Sequence, residues 1–209
     1  MPMTSSPQER TKEIQKAIVE IEWVMFQEVH GINGRASCQD NREGFVMHRL
    51  SQFSSWEPYV LESYLLDLQE AVTVGRNLVM EKYAYMMEIT DPAYFAQIKH
   101  LLPPVDEDCY ELADMITEQY LIWEKEVDMM YPNVRKHGRP TDDTTLDGST
   151  SFRNYLRSEL LTYSKKTLIQ LYSSILAFPE VNRYLQSMEY LARAYGYKTL
   201  AEAEAALSK

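Results

Sequence analysis

The sequence predicts an all-α protein, a single-domain bundle of about eight to nine helices, and three observations support this. Only 7 of the 209 residues are glycine, about half of average usage, so tight turns are few and elements are long. Apolar residues recur at the spacing of buried helical faces, and no segment alternates like a half-buried strand. Capping boxes and first-turn prolines mark helix starts.

Start signals precede the predicted helices of the first half of the chain. Ser6-Pro7-Gln8-Glu9 is a capping box with proline at the first helical position. Asp40 and Glu43 repeat the box, and Pro58 is a first-turn proline. Glycines follow the first and third helices, where they accept a left-handed backbone. The predicted helices cover residues 7–29, 40–56, 58–74 and 78–89.

Prolines divide the rest of the chain. Asp91-Pro92 opens a short helix that Pro103-Pro104 stops, and Pro132 closes the long helix that follows. Residues 132–150 lack periodicity and predict one long internal loop, and residues 1–5 predict a disordered start. The predicted helices cover residues 91–102, 106–131, 151–177, 179–195 and, after a capping box at 199–202, the C-terminal residues.

The two halves of the bundle can be read as related helical hairpins. Residues 64–87 and 163–191 each contain a helix, a break, an asparagine (Asn77 or Asn182) and a second helix rich in Met and Tyr. Common helix-pair patterning explains the match equally well, so both interpretations stay open.

Composition argues against several function classes. A formal charge of −10 disfavours a nucleic-acid binder, because phosphate neutralisation needs a basic face. No apolar run approaches the roughly 18 residues of a membrane span, and no signal peptide is expected, so we predict a cytoplasmic protein. Cys38 and Cys109 form no CxxC pair, and the histidines lack the Glu-x-x-His spacing of helical metal sites, so no metal is expected. The residues indicate no particular cofactor.

The turn at residues 34–40, Gly-Arg-Ala-Ser-Cys-Gln-Asp, is the strongest candidate site. It places Arg35, Cys38, Gln39 and Asp40 at a predicted helix N-terminus, where free backbone N–H groups favour an anion. The same field favours a thiolate, so Cys38 is a candidate nucleophile. In the alternative interpretation, Asp40 caps the helix, and Arg35 pairs with Glu20 or Glu22 of the first helix. Cys38 is then a small buried side chain.

Two further groups could contribute to the same site. Glu20 and Trp23 share a face of the first helix, where a carboxyl beside an indole could serve as general acid or base, or bind a ligand. Asn77, Glu81 and Tyr85 lie four residues apart on one face, with Glu81 as candidate base and Tyr85 as candidate acid. The alternative for the first group is a tryptophan in the core with solvated glutamates. The alternative for the second group is a buried ladder of hydrogen bonds that fixes helix packing.

Two weaker patterns involve arginine. Arg153 and Arg157, four residues apart and followed by Glu159, could clamp an anion, although ordinary surface pairing, for example with Glu159, explains them as well. Arg42 and His48 have the spacing found in small helical ribonucleases, against which the negative charge counts.

Six segments of the chain, taken in order, form one pattern. They are EIEWVMFQEVHGINGRASCQD, SQFSSW, LESYLLDLQEA, GRNLVMEKYAYMME, YLRSELLTYSKKTL and YGYKTLAEAE. Together they resemble a bacterial family catalogued as domain of unknown function 4125. The resemblance runs from about residue 14 to about residue 205 and implies a helical cytosolic protein with no established activity. It also associates the chain with nucleotidyltransferase domains. Family members have two glycines where this chain has Asn33-Gly34, and Asn accepts the same backbone.

Together these patterns predict a protein that binds, and in one interpretation transforms, a small polar or anionic ligand. The predicted pocket lies between helices, with the 34–40 turn facing Glu81 and Tyr85. One alternative is a non-catalytic protein-interaction module, or a homo-oligomer, built on the 15 Tyr and 11 Met. The other is an RNA-acting helical protein.

Overall fold

The computed structural model describes residues 6–31, 34–142 and 150–208, and its regular elements there are all helical. This confirms the all-α prediction, although eleven α-helices exceed the eight to nine expected. Short 3-10 turns cover Ser37–Asp40 and Lys99–Leu101. The helices are α1 (Pro7–Gln27), α2 (Arg42–Phe53), α3 (Pro58–Thr73), α4 (Leu78–Thr90), α5 (Pro92–Ile98), α6 (Glu107–Met130), α7 (Pro132–Arg135), α8 (Phe152–Leu160), α9 (Lys165–Ala177), α10 (Arg183–Ala194) and α11 (Leu200–Leu207).

The two additional helices arise where the sequence predicts one long helix and one loop. The helix expected over 151–177 is divided into α8 and α9, because the Ser164 side chain accepts from the Thr167 N–H and caps α9. The Ser164 N–H in turn donates to Asp67 in α3 (3.0 Å). α7 occupies the start of the predicted loop, whose residues 143–149 lie outside the described residues, as does the expected disordered start.

Two predicted helix starts were wrong, the cap of α2 by one residue and the start of α10 by four. Asn41, not Asp40, caps α2, since its Oδ1 accepts from the Gly44 N–H (2.9 Å). Pro179 does not open α10, because Asn182 caps it through the Leu185 N–H (2.7 Å). In both cases an asparagine oxygen satisfies a free N–H of the first turn.

The helices form two layers. α1, α3, α9 and α6 lie side by side in one layer, and the second contains α2, α4, α8 and α10, with α2 packed on α10 and α4 on α8. Fully buried aliphatic side chains fill the core, among them Ile18, Leu61, Leu68, Ile116 and Leu168.

The same packing occurs twice in the chain. α2, α3 and α4 pack around α1 as α8, α9 and α10 pack around α6. Asn77, the N-cap of α4, donates to the Met25 carbonyl of α1 (2.8 Å) and to the glutamate three residues later. Asn182, the N-cap of α10, donates to the Trp123 carbonyl of α6 (3.1 Å) and again to the glutamate three residues later. These contacts support related halves, which stay a prediction.

A second, smaller apolar cluster joins α7, α10 and α11. Glu204 of α11 accepts from the backbone N–H groups of Asn133 (3.0 Å) and Val134 (2.8 Å), so it anchors α11 to the N-terminus of α7. The cluster consists of Val134, Ala192, Leu200 and Ala203, with Leu185, Met188, Tyr197 and Leu207 packed against it.

Candidate functional site

A cleft of about 1230 Å³ opens in the second layer, between α2, α4, α8 and α10. Corresponding positions of the two halves line it. Phe45 and Tyr155 each lie four residues after the N-caps of α2 and α8, and Arg49 and Glu159 each lie eight residues after them. The cleft is therefore centred between the two halves.

Among the described residues, six charged side chains line the cleft, three carboxylates and three cations. The balance contrasts with the net charge of −10 carried by the whole chain. Because this described part of the lining has no excess of negative charge, it can admit an anion that the rest of the surface would repel. The six are Glu22, Glu124, Glu159, Arg49, Lys82 and Arg139.

A buried ionic network connects four helices on one side of the cleft. The Arg49 guanidinium donates to Glu22 of α1 through Nε (2.7 Å) and Nη2 (2.5 Å), and to Glu159 of α8 through Nη1 (3.1 Å). Lys82 of α4 donates to the Glu159 carboxylate (2.6 Å). The Tyr64 hydroxyl donates to Glu22 (2.6 Å).

Two members of this network, Glu159 and Lys82, keep their charges. Burial alone would raise the pKa of Glu159, but the positive charges of Arg49 and Lys82 outweigh it and hold that pKa below its ordinary value. Burial alone would lower the pKa of Lys82, but the Glu159 carboxylate raises it. Tyr163 and Gln52 also donate to Glu159 (2.7 Å each). Because Glu159 and Lys82 stay ionised near neutral pH, this pair suits binding and positioning better than proton transfer.

Two cations meet at one aromatic ring inside the cleft. The Lys82 Nζ lies 3.5 Å from the centroid of the Tyr155 ring, and the Arg139 Cζ lies 4.4 Å from it. Arg139 also donates to the Thr150 carbonyl (3.3 Å). Burial raises the pKa of the neighbouring Tyr83 to about 12, so its hydroxyl stays protonated.

His48 lies at the mouth of the cleft. Its Nε2 is 3.4 Å from the Tyr195 hydroxyl. Partial desolvation by the cleft walls, together with the positive charge of Arg139, lowers the pKa of His48. The imidazole is therefore neutral at pH 7 and can donate or accept one hydrogen bond.

A family model described as a protein of unknown function, DUF4125, matches residues 12–205. The chain belongs to DUF4125. This confirms the family that the sequence resemblance indicated, and the matched region includes every residue of the cleft lining except Leu207. No curated protein and no solved structure matches this DUF4125 chain. Within 6–31, 34–142 and 150–208, no helix has the length and hydrophobicity of a membrane span, and no three His, Cys, Asp or Glu side chains cluster as metal ligands.

The 34–40 turn of this DUF4125 protein is held by its own polar side chains. Gln39 is buried, and its Nε2 donates to the carbonyls of Phe26 (2.7 Å) and Val29 (2.9 Å). Arg35 donates to Asp40 (3.1 Å) and to Gln27 at the end of α1 (2.5 Å). These contacts fasten the turn to α1. The ligand-binding roles predicted for Arg35, Gln39 and Asp40 stay predictions.

Cys38, unlike the other side chains of the turn, lines the cleft, and it is exposed. The structure describes all nine predicted site residues, and Cys38 is the one among them that lines the cleft. Tyr83 lies close enough that the thiol influences its ionisation. The cleft therefore reaches the 34–40 turn at Cys38, and the predicted pocket shared with Glu81 and Tyr85 stays a prediction.

The other predicted residues lie outside the cleft lining. Glu81 pairs with Arg76 (2.6 Å), and the Tyr85 hydroxyl donates to the Pro103 carbonyl (3.2 Å). The structure thus does not bring Glu81 or Tyr85 to the cleft that Cys38 lines. Their catalytic roles stay predictions, as does ligand binding by Asn77, whose contacts cap α4.

The two residues predicted as a group on α1, Glu20 and Trp23, have different surroundings in the structure. Glu20 is exposed and pairs with Arg42 (2.6 Å). The RNA-directed pairing of Arg42 with His48 stays a prediction. Trp23 is half-buried, with its ring centroid 5.1 Å from that of Phe45. Glu22, rather than Glu20, is the carboxylate of α1 that lines the cleft.

Sequence reasoning missed Arg49 and Lys82, and it considered Glu159 only in the group of Arg153 and Arg157. A signal for a buried role was nevertheless present for Arg49 and Glu159. Arg49 lies four residues after Phe45 and four before Phe53, and Glu159 is placed in the same way between Tyr155 and Tyr163. A charged residue centred on an aromatic helical face requires a buried partner. Two such faces of opposite charge predict that the two helices meet.

The two cysteines are expected to differ sharply in reactivity. Cys109 is buried, and burial raises the pKa of its thiol, whereas Cys38 is exposed. We expect iodoacetamide to modify Cys38 at least about tenfold faster than Cys109. Peptide mass spectrometry after timed quenching measures both rates. Equal rates would contradict the burial of Cys109.

Proposed function

We propose that this DUF4125 protein binds a small anionic ligand in the cleft, with the anionic group between Lys82 and Arg139. The observation that carries the proposal is the convergence of these two cations on the Tyr155 ring, at 3.5 Å and 4.4 Å. Each cation lies in a cavity large enough for a ligand.

Lys82 has donor capacity left for a ligand. An ammonium has three N–H groups, and among the described residues Glu159 is its hydrogen-bond acceptor. The Tyr155 ring lies on a second side of the Lys82 ammonium. Lys82 is 6% exposed, so an anion beside it interacts in a medium of lower effective dielectric than water.

Arg139 supplies a different kind of contact. Its guanidinium is planar and offers a fork of donors that matches carboxylate or phosphate oxygens. It is exposed at the rim, so an incoming ligand can reach it. The protonated hydroxyl of Tyr83 and the neutral imidazole of His48 add hydrogen-bonding groups without adding negative charge.

Arg139→Gln is expected to weaken the binding of inorganic phosphate about tenfold, because a charge-assisted hydrogen bond is lost. Isothermal titration calorimetry at pH 7 and low ionic strength measures the affinity. Two-dimensional NMR of the backbone amides locates the binding, and the largest shifts are expected at residues 82, 83, 139 and 155.

Arg157→Gln is the matched control. Arg157 also lies over a tyrosine ring, 5.6 Å from the centroid of Tyr110, and pairs with Asp114 (2.6 Å), but it does not line the cleft. This variant should bind phosphate like the wild type. No saturable binding by the wild type, or an equal loss in both variants, would refute the proposed anion site.

A further inference from the structure

The cleft continues from the two cations onto an apolar wall. The ring centroid of Phe152, three residues before Tyr155 on α8, lies 5.2 Å from that of Tyr184 on α10. Met188 and Leu191 follow Tyr184 at the spacing of one helical face, and all of these side chains line the same cavity. The wall therefore begins beside the ring that Lys82 and Arg139 share.

α11 supplies a second apolar strip to the cavity. Leu200, Ala203 and Leu207 have helical spacing and line the cleft. Met188, Leu191 and Leu207 are each partly exposed there. Partly exposed apolar side chains within a concave cleft are surface that a ligand can remove from water.

The two halves of the chain differ along this wall. Lys82 and Tyr83 of α4 correspond in register to Ser187 and Met188 of α10, counted from the asparagine N-caps. One side of the cleft thus carries the cation, and the corresponding side is uncharged. A ligand that spans the cleft meets a charged end and an apolar end.

We propose that the ligand is an amphipathic anion, with a phosphate or carboxylate head at Lys82 and Arg139 and a flexible hydrocarbon chain along α10 and α11. This rests on the proposed anion site. The cavity of about 1230 Å³ exceeds the roughly 300–1,000 Å³ of ordinary small-ligand sites, so it has room for a chain beyond the head group.

A hydrocarbon chain fits the wall better than a planar base does. Glu124 is the acidic side chain of α6 in the cleft lining, but its carboxylate oxygens are buried and it is paired with Arg135. The Ser187 hydroxyl donates to the Arg183 carbonyl within α10. Four of the seven side chains of the wall and the α11 strip are leucine or methionine, and the unbranched methionine adapts to flexible apolar groups.

A homologous series of alkyl phosphates tests this inference. Ethyl, butyl, hexyl and octyl phosphate are titrated by calorimetry below their critical micelle concentrations, beside inorganic phosphate. The affinity is expected to rise up to about fourfold for each methylene group buried on the wall. Alkyl carboxylates of equal length show whether the head-group site requires phosphate or accepts either anion.

Leu191→Gln is expected to flatten the dependence on chain length while leaving the affinity for inorganic phosphate unchanged. Leu176→Gln is the control, because Leu176 is 59% exposed on α9 and outside the cleft lining. Circular dichroism verifies folding. Leu207→Gln, near the chain terminus on α11, repeats the test if Leu191→Gln does not fold.

The outcomes separate this inference from the function on which it rests. If phosphate binds through Arg139 but affinity is independent of chain length, the amphipathic ligand is refuted and the anion site stands. If alkyl phosphates bind equally well without Arg139, the anion site is refuted. Adenosine monophosphate binding more than tenfold tighter than hexyl phosphate would overturn the hydrocarbon chain in favour of a planar base.

Discussion

Glu159→Gln is expected to lower the free energy of unfolding by about 3–5 kcal/mol, the range for removing one partner of a buried ion pair. Glutamine preserves the shape of the side chain but removes the charge that Arg49 and Lys82 share. Two buried cations then have only Glu22 to balance them within this network. Urea unfolding at pH 7, followed by circular dichroism, measures the loss.

The same substitution should change the acid dependence of stability. The pKa of Glu159 is held below its ordinary value in the folded protein by Arg49 and Lys82, which outweigh the effect of burial. A carboxyl with a depressed pKa stabilises the fold fully above its unfolded pKa, about 4.3, and this stabilisation is lost as the pH falls below that value. Between pH 5 and 2, wild-type stability should therefore fall more steeply than that of the variant.

Glu20→Gln provides the control for Glu159→Gln. Glu20 also pairs with an arginine, Arg42, but both side chains are about half exposed. Such a surface pair contributes at most about 1 kcal/mol. A loss below about 1 kcal/mol for Glu159→Gln, or identical acid profiles for that variant and the wild type, would show that the network does not stabilise the fold.

Gln39→Ala is expected to lower the free energy of unfolding by about 2–3 kcal/mol, since three hydrogen bonds each contribute roughly 0.5–1.5 kcal/mol. The buried amide donates to the carbonyls of Phe26 and Val29, and its oxygen accepts from the Ala36 N–H (2.8 Å). Without it, the Val29 carbonyl and the Ala36 N–H lose this partner, whereas the Phe26 carbonyl still accepts from the Val29 N–H (3.2 Å). Urea unfolding measures the total, and hydrogen exchange should show faster exchange at the Ala36 amide.

Gln15→Ala is the matched comparison. Gln15 is half-buried on α1 and donates to the Phe53 carbonyl (3.0 Å), which is a single long-range contact. Its loss should cost about 1 kcal/mol. If the two alanine variants were equally stable, the 34–40 turn would not depend on Gln39 as the structure indicates.

The sequence predicted the helices well where their limits depend on local signals. The capping box at Ser6 and the proline at position 58 act within one turn, and both mark the observed starts of α1 and α3. The break between α8 and α9 was missed because it involves Asp67, which is distant in sequence from Ser164. Secondary structure that depends on such a contact cannot be read from a local pattern.

The candidate site was less predictable for a related physical reason. The 34–40 turn has the composition of an anion site, but Arg35, Gln39 and Asp40 bond to one another and to α1. The type of a residue does not show which groups its side chain will hydrogen-bond or pair with in the folded protein. Arg49 of α2 and Glu159 of α8 come together only when the two halves of the chain pack. The sequence of either helix alone therefore does not indicate the cleft.

The pairing of Arg49 with Glu159 also decides which half-chains can associate. These residues occupy the same register after the N-caps of α2 and α8. Two copies of the first half would bring arginine against arginine, and two copies of the second would bring glutamate against glutamate. Like charges in a buried contact oppose association. At this contact the first half is therefore complementary in charge to the second half and not to itself.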